Sequence, residues 1–173
     1  MKIMKKKFTY LLIIFSLLSF PLLSEEKSKI SNEHQYNFYV GNFDFSDHKQ
    51  SAVLVGFQHQ NEFLKRDTFI GKVSPITGGF ITENSAAYVY SGIEWNVDMG
   101  QFEFTPSFAP GLYSQGDGKD LGHILEFKTE VQLTYVASEK TNIGMSYNHV
   151  SNASLGDKNP GANSYEFNLL KRF

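Results

Sequence analysis

The sequence predicts an all-β fold, an eight-stranded antiparallel β-barrel, on three observations. Short segments alternate apolar and polar residues from about residue 35 to the C-terminus, and turn-forming residues separate them. The 173 residues include 16 Phe, 9 Tyr and 14 Gly. Aromatic side chains suit a pleated, half-buried surface. Alternation with period two sends successive side chains to opposite faces of a strand.

Composition also sets exclusions. There is no cysteine, so neither a disulfide framework nor a thiolate metal site can form. A net charge of −2 and a pI of about 6.2 leave no basic face for nucleic acid. The mean hydropathy of −0.29 resembles that of a soluble protein. A membrane barrel reads the same way, because only every second residue of each strand must be apolar.

The chain opens with Lys2, Lys5, Lys6 and Lys7, continues through the uncharged run from Phe8 to Leu23, and breaks at Ser24-Glu25-Glu26. A basic segment, an apolar segment and a polar flank make a secretory signal peptide over residues 1–24. The alternative is a retained anchor, since the run approaches the shortest membrane span. Residues 25–173 then form a single barrel domain.

Strands are expected near 35–45, 51–59, 67–80, 85–98, 101–114, 122–136, 140–151 and 163–173. The sixth is the clearest. Leu125, Phe127, Val131, Leu133 and Tyr135 share one face; Glu126, Lys128, Glu130, Gln132 and Thr134 share the other. The fifth sets Phe102, Phe104, Phe108 and Leu112 against Glu103, Thr105, Ser107 and Gly111. The fourth sets Ile93, Trp95 and Val97 against Glu94, Asn96 and Asp98, and the eighth sets Tyr165, Phe167, Leu169 and Phe173 against Ser164, Glu166, Asn168 and Arg172. Pro75, Pro106 and Pro110 require bulges or interrupted pairing inside a closed sheet.

A soluble barrel would turn the apolar face inward and a membrane barrel would turn it outward. The charged faces favour the second, because eight strands enclose a lumen just filled by side chains, where Glu, Lys and Arg can pair. The terminal aromatic Phe173 fits a bacterial outer-membrane strand. With both termini in the periplasm, odd strands run outward. Residues 148–163, which join the last two strands, then lie at the level of the outer leaflet, with Asn159-Pro160-Gly161 marking a turn.

In the seventh strand Ile143, Met145 and Tyr147 form the apolar face, and His149 and Ser151 continue it. A polar pair facing lipid is costly without partners or work. Residues i and i+2 are neighbours on one face, close enough for an imidazole to activate a hydroxyl. Asn163 shares the outward parity, and a hairpin centred near Gly156 puts it opposite His149, where it could fix the ring's tautomer. Glu166 has the opposite parity and points into the lumen. A bare His-x-Ser pattern is common, and polar residues at a strand end also mark the headgroup boundary.

The run His149-Val150-Ser151-Asn152-Ala153, then Asn159-Pro160-Gly161, then a strand to Phe173, resembles the lipid A 3-O-deacylase family (PagL type, acyloxyacyl hydrolases). So do Pro106-Ser107-Phe108-Ala109-Pro110-Gly111-Leu112-Tyr113, Asp120-Leu121-Gly122-His123 and Leu125-Glu126-Phe127. The resemblance is specific mainly from residue 101 onward. It implies an outer-membrane barrel whose lipid-facing wall carries a Ser-His-acid triad. Ser151 matches the nucleophile, His149 the base and Asn159 an oxyanion-hole contributor, with the Asn152 backbone N–H as a second donor. Asn163 takes the acid's position as an amide, a departure from the family pattern.

The implied reaction removes the 3-O-linked hydroxyacyl chain from lipid A of lipopolysaccharide, with no metal or cofactor. Tyr147 and Tyr165 read equally well as acyl-chain contacts or as interfacial belt residues. Asp117, Asp120 and Asp157 read as solvated loop residues, and His34, His48, His59 and His123 show no ligand spacing. Implied partners are lipopolysaccharide and outer-membrane lipid, and a homodimer is compatible. Two rival readings are a non-enzymatic structural or adhesion barrel and a phospholipid esterase.

Overall fold

The structure, a computed structural model, describes residues 34–173 apart from His48 and Ile70. The segment read as a signal peptide lies outside the described residues, as does His48.

Eight long strands occur among the described residues: β1 (Gln35–Phe43), β2 (Ala52–Gln60), β3 (Gly71–Thr82), β4 (Ala87–Asp98), β5 (Phe102–Ser114), β6 (Leu125–Ser138), β7 (Thr141–Ser151) and β8 (Ala162–Arg172). Each pairs antiparallel with the next, and β1 pairs with both β2 and β8, so the sheet closes on itself. Closure leaves none of the eight long strands at an edge, the condition for a sheet to sit in lipid.

The alternation is inside out. Phe38, Val55, Phe104, Val131, Leu133, Met145, Phe167 and Leu169 are exposed on the outer wall. Gln58, Glu94, Lys128, Glu130, Ser146, Asn148, Glu166 and Asn168 are buried in the lumen. Part of the polar lumen is bonded internally. Lys128 Nζ lies 2.8 Å from Glu130 Oε2 and sits over the Tyr39 and Tyr90 rings. Glu166 accepts from Asn148 Nδ2 at 2.7 Å and Ser146 Oγ at 3.1 Å. Buried charges persist only with such partners.

The third strand departs from expectation. It starts at Gly71, not 67, and runs on to Thr82. Residues Arg66–Thr68 form a separate short strand that folds back on it, pairing Thr68 with Gly71. Gly71 has φ 133°, a conformation other residues rarely adopt, so the chain reverses there. Alternation cannot register such a reversal, because both arms keep period two. The prolines are accommodated locally. The β4–β5 pairing lapses opposite Pro106 and Pro110 while β5–β6 pairing runs through both. A missing N–H is tolerated where the ladder is already broken.

One end of the barrel carries the connections 44–51, 83–86, 115–124 and 152–161; at the other end lie the short turns 99–101 and 139–140 and the longer β2–β3 connection that holds Glu62–Leu64 and Arg66–Thr68. Outer-membrane barrels place longer loops outside and short turns in the periplasm. At the long-loop end the lumen turns apolar: Phe43, Leu54, Phe80, Tyr88, Tyr113, Leu121, Val150 and Ala162 form a buried plug. Val150 and Ala162 belong to the β7–β8 hairpin, so the plug braces that hairpin from within.

Candidate active site on the outer wall

The β7–β8 register pairs His149 with Asn163 directly, as a hairpin centred near Gly156 requires. Facing side chains at such a position have Cβ atoms about 4.5–5.5 Å apart, and here they meet. His149 Nδ1 and Asn163 Oδ1 are 2.9 Å apart. Tyr147 Oη donates to the same oxygen at 2.8 Å. Val150, between His149 and Ser151, is wholly buried, which turns both neighbours outward. Both are half-buried at the lip of the apolar wall.

The imidazole is further shaped by Gly161. A Cβ at that position would lie 2.7 Å from His149 Cε1 and 3.1 Å from Nε2. Gly161 also has φ 63°, so both the turn and the ring need glycine there.

Ser151 follows on the same strand, paired with Phe127 of β6. Among the described residues its hydroxyl forms no hydrogen bond, including none to His149. A hydroxyl-imidazole bond is the expected catalytic contact, and such bonds often tighten only with substrate in place.

Asn159 and Asn152 meet one another. The backbone N–H of Asn152 donates to Asn159 Oδ1 at 3.0 Å. This corrects the reading of that N–H as a second oxyanion donor: it is already engaged. The same bond orients the Asn159 amide and leaves Nδ2 as its free-standing donor. The Asn152 side chain is buried, donating to Leu121 O at 2.7 Å and Lys158 O at 2.8 Å. It ties the 115–124 and 152–161 loops together beneath the site. Asp120 and Lys158 add an exposed ion pair at 2.6 Å. The Lys158 hydrogen bond, then the Gly122 N–H, hold the Asp120 carboxyl below its ordinary range.

The β7–β8 hairpin thus presents an outward hydroxyl, an imidazole with one nitrogen fixed and an oriented amide on an apolar wall. The family model for lipid A 3-O-deacylase (PagL) matches residues 34–172. The chain belongs to the PagL family. It is therefore an outer-membrane β-barrel and a carboxylic ester hydrolase, and the reading as a non-enzymatic barrel falls.

Solved structures agree on the fold. The crystal structure of the outer membrane enzyme PagL superposes with TM-score 0.62 at 16% identity, covering 79% of this chain and 98% of that one. A de novo designed transmembrane β-barrel gives 0.51 at 8% identity, covering 82% and 95%. Neisserial surface protein A gives 0.50 at 9%, covering 81% and 94%. No curated protein matches the chain by sequence.

In this PagL-family chain, Glu166 lies in the lumen, bonded to Ser146 and Asn148, away from His149. Among the described residues no group of three or more His, Asp or Glu side chains is arranged to hold a metal ion. Sequence reasoning missed the segment 44–46 that follows β1. Phe45 N donates to Asn163 O at 3.0 Å, and Asn163 Nδ2 donates to Ser46 Oγ at 3.3 Å. The available signal was topological: barrel closure sets the end of β1 beside the start of β8. Tyr147 was read as an acyl-chain contact or a belt residue; its hydroxyl on Asn163 gives it a further part in the site.

Proposed function

We propose that the protein removes the 3-O-linked hydroxyacyl chain of lipid A by a serine mechanism, with Ser151 as nucleophile, His149 as general base and Asn163 as the group that orients the base. One observation carries this: His149 Nδ1 is held by Asn163 Oδ1 at 2.9 Å, two residues from an outward-facing hydroxyl on a lipid-facing wall. With Nδ1 bound to an acceptor, its proton is fixed there and Nε2 presents a lone pair.

His149 Nε2 takes the Ser151 proton as Oγ attacks the ester carbonyl carbon. The carbonyl oxygen becomes an oxyanion facing Asn159 Nδ2, whose amide is oriented by the Asn152 N–H. Collapse breaks the bond to the sugar oxygen, which leaves with the proton from His149. Water, deprotonated by His149, then attacks the acyl-serine. The 3-hydroxy fatty acid departs and Ser151 Oγ recovers its proton.

The apolar surroundings support an acyl substrate. Phe127 faces Ser151 across the ladder and stacks on Phe108 with centroids 6.0 Å apart. Phe45 packs against Tyr147 and Tyr165 on the other side of the site. The acyl chain reaches Ser151 without leaving the bilayer.

Mass spectrometry of lipid A from cells expressing the wild type or Ser151→Ala tests the reading. The expected result is loss of one hydroxyacyl group with Ser151 intact only. Identical spectra would overturn it, and release of phospholipid acyl chains in their place would establish the phospholipid esterase instead.

A further inference from the structure

We infer that Ser46 and Asp44 are positioning residues that set the polarity of the Asn163 amide, and through it the tautomer of His149. The inference rests on the serine reading above and explains how an amide serves where the family has an acid.

An asparagine offers an oxygen on one side and an NH₂ on the other, and the two are nearly isosteric. Turned the wrong way, Asn163 would present N–H to His149 Nδ1. That nitrogen would have to accept, Nε2 would carry the proton, and the base would be lost. A carboxylate has no wrong way round.

The chain of contacts beyond Asn163 removes the ambiguity. Asp44 is buried and ion-paired with Lys119 through Oδ2. An ionised carboxylate only accepts. Ser46 Oγ therefore donates its single proton to Asp44 Oδ1, at 3.3 Å. Toward Asn163 the hydroxyl can then only accept, so the group facing it, at 3.3 Å, is Nδ2. Oδ1 must face the other way, toward His149 Nδ1 and the Tyr147 hydroxyl. Polarity thus runs in one direction from Lys119 and Asp44 through Ser46 and Asn163 to His149.

The backbone reinforces the arrangement. Asp44 Oδ1 also accepts from Asn163 N at 3.4 Å, and Phe45 N donates to Asn163 O at 3.0 Å, so segment 44–46 grips Asn163 through main chain and side chain. Asp44 takes φ 51°, left-handed for a residue with a Cβ, although Asp tolerates that region better than most.

The test uses the full enzyme on lipopolysaccharide in mixed micelles, with kcat and KM measured for wild type, Ser46→Ala, Ser46→Thr, Asn163→Glu, the double variant Ser46→Ala/Asn163→Glu, and Ser151→Ala. Removing the Ser46 hydroxyl is expected to lower kcat about tenfold or more at unchanged KM, since only the base is affected. Threonine restores it. In the Asn163→Glu background the same removal costs less than about twofold, because a carboxylate needs no orienting. An unchanged kcat in Ser46→Ala, or an equal loss in both backgrounds, overturns the relay while leaving Ser151→Ala inactive and the serine mechanism intact. Full activity in Ser151→Ala overturns both. Imidazole ¹⁵N shifts of wild-type His149 need no Ser46 variant: a protonated Nδ1 and bare Nε2 are expected, and the opposite tautomer overturns the relay.

Discussion

His149 and Asn163 face one another across the β7–β8 ladder with Nδ1 and Oδ1 2.9 Å apart, so the partner of the base is an amide. An amide can hold the ring but cannot stabilise the imidazolium with a full charge. Asn163→Glu is expected to raise kcat about tenfold, equivalent to about 1.4 kcal/mol of added stabilisation in the transition state. Steady-state deacylation measures it. A kcat at or below that of the wild type would show that the relay already supplies what a carboxylate would.

Asn159 has two separable functions, and Asn159→Asp divides them. Aspartate keeps an oxygen to accept from the Asn152 N–H, so the loop stays in place. It loses Nδ2 and puts negative charge beside the developing oxyanion. The expected loss in kcat is about 10²–10³, the range for removing one oxyanion donor, with folding unchanged by circular dichroism. If activity survives, the oxyanion is held elsewhere on the wall.

Much of this site is legible in the sequence because parity on a strand is arithmetic. Ile143, Met145 and Tyr147 fix the outward face of β7, and counting on by two reaches His149 and Ser151. The same count brings Asn163 outward and sends Glu166 inward. Register does not follow from parity; taking the hairpin as centred near Gly156 sets His149 opposite Asn163, and the strands pair that way. Three features stayed hidden for physical reasons. Asp44 and Ser46 lie far from Asn163 along the chain and meet it only because β1 closes on β8. The Asn152 N–H was read as a free donor because backbone bonding inside an irregular loop leaves no periodic trace. The reversal at Gly71 depends on a dihedral angle, and the residues around it alternate as they would in a continuous strand.

Gly161 is required twice over, by its φ of 63° and by the imidazole above it. Gly161→Ala places a methyl group 2.7 Å from His149 Cε1, closer than carbon atoms pack, so the ring must move. A left-handed conformation for alanine costs about 1–2 kcal/mol, which lowers Tm by roughly 2–8 °C at this chain size. Displacement of the base by even about 1 Å can cost about 10²-fold in rate. The expected variant is a folded barrel with a small drop in Tm and a kcat reduced at least about tenfold. Thermal melting beside kinetics separates the two effects, and a normal kcat would show that the imidazole has room to spare.

The Asp120–Lys158 pair clamps the two loops above the plug, and its pH dependence has a definite sign. The Asp120 carboxyl sits below its ordinary range in the folded chain, chiefly through the Lys158 hydrogen bond. A carboxyl depressed on folding adds stability above its unfolded pKa, and that stability is lost as pH falls through the folded value. Both side chains are exposed, so the clamp is weak and local and does not govern global melting. Hydrogen-exchange protection factors for residues 152–161, corrected for intrinsic rate, are therefore expected to hold from neutral pH down to the ordinary carboxylate range and to fall below it. Lys158→Met should lower protection at neutral pH and flatten the acid decline, because Asp120 then loses the main cause of its depression. High salt should act in the same direction on the wild type, since an exposed pair is screened. If wild type and Lys158→Met decline in parallel, the acid-sensitive group is another carboxylate and the loops are held by the Asn152 side-chain hydrogen bonds to Leu121 O and Lys158 O.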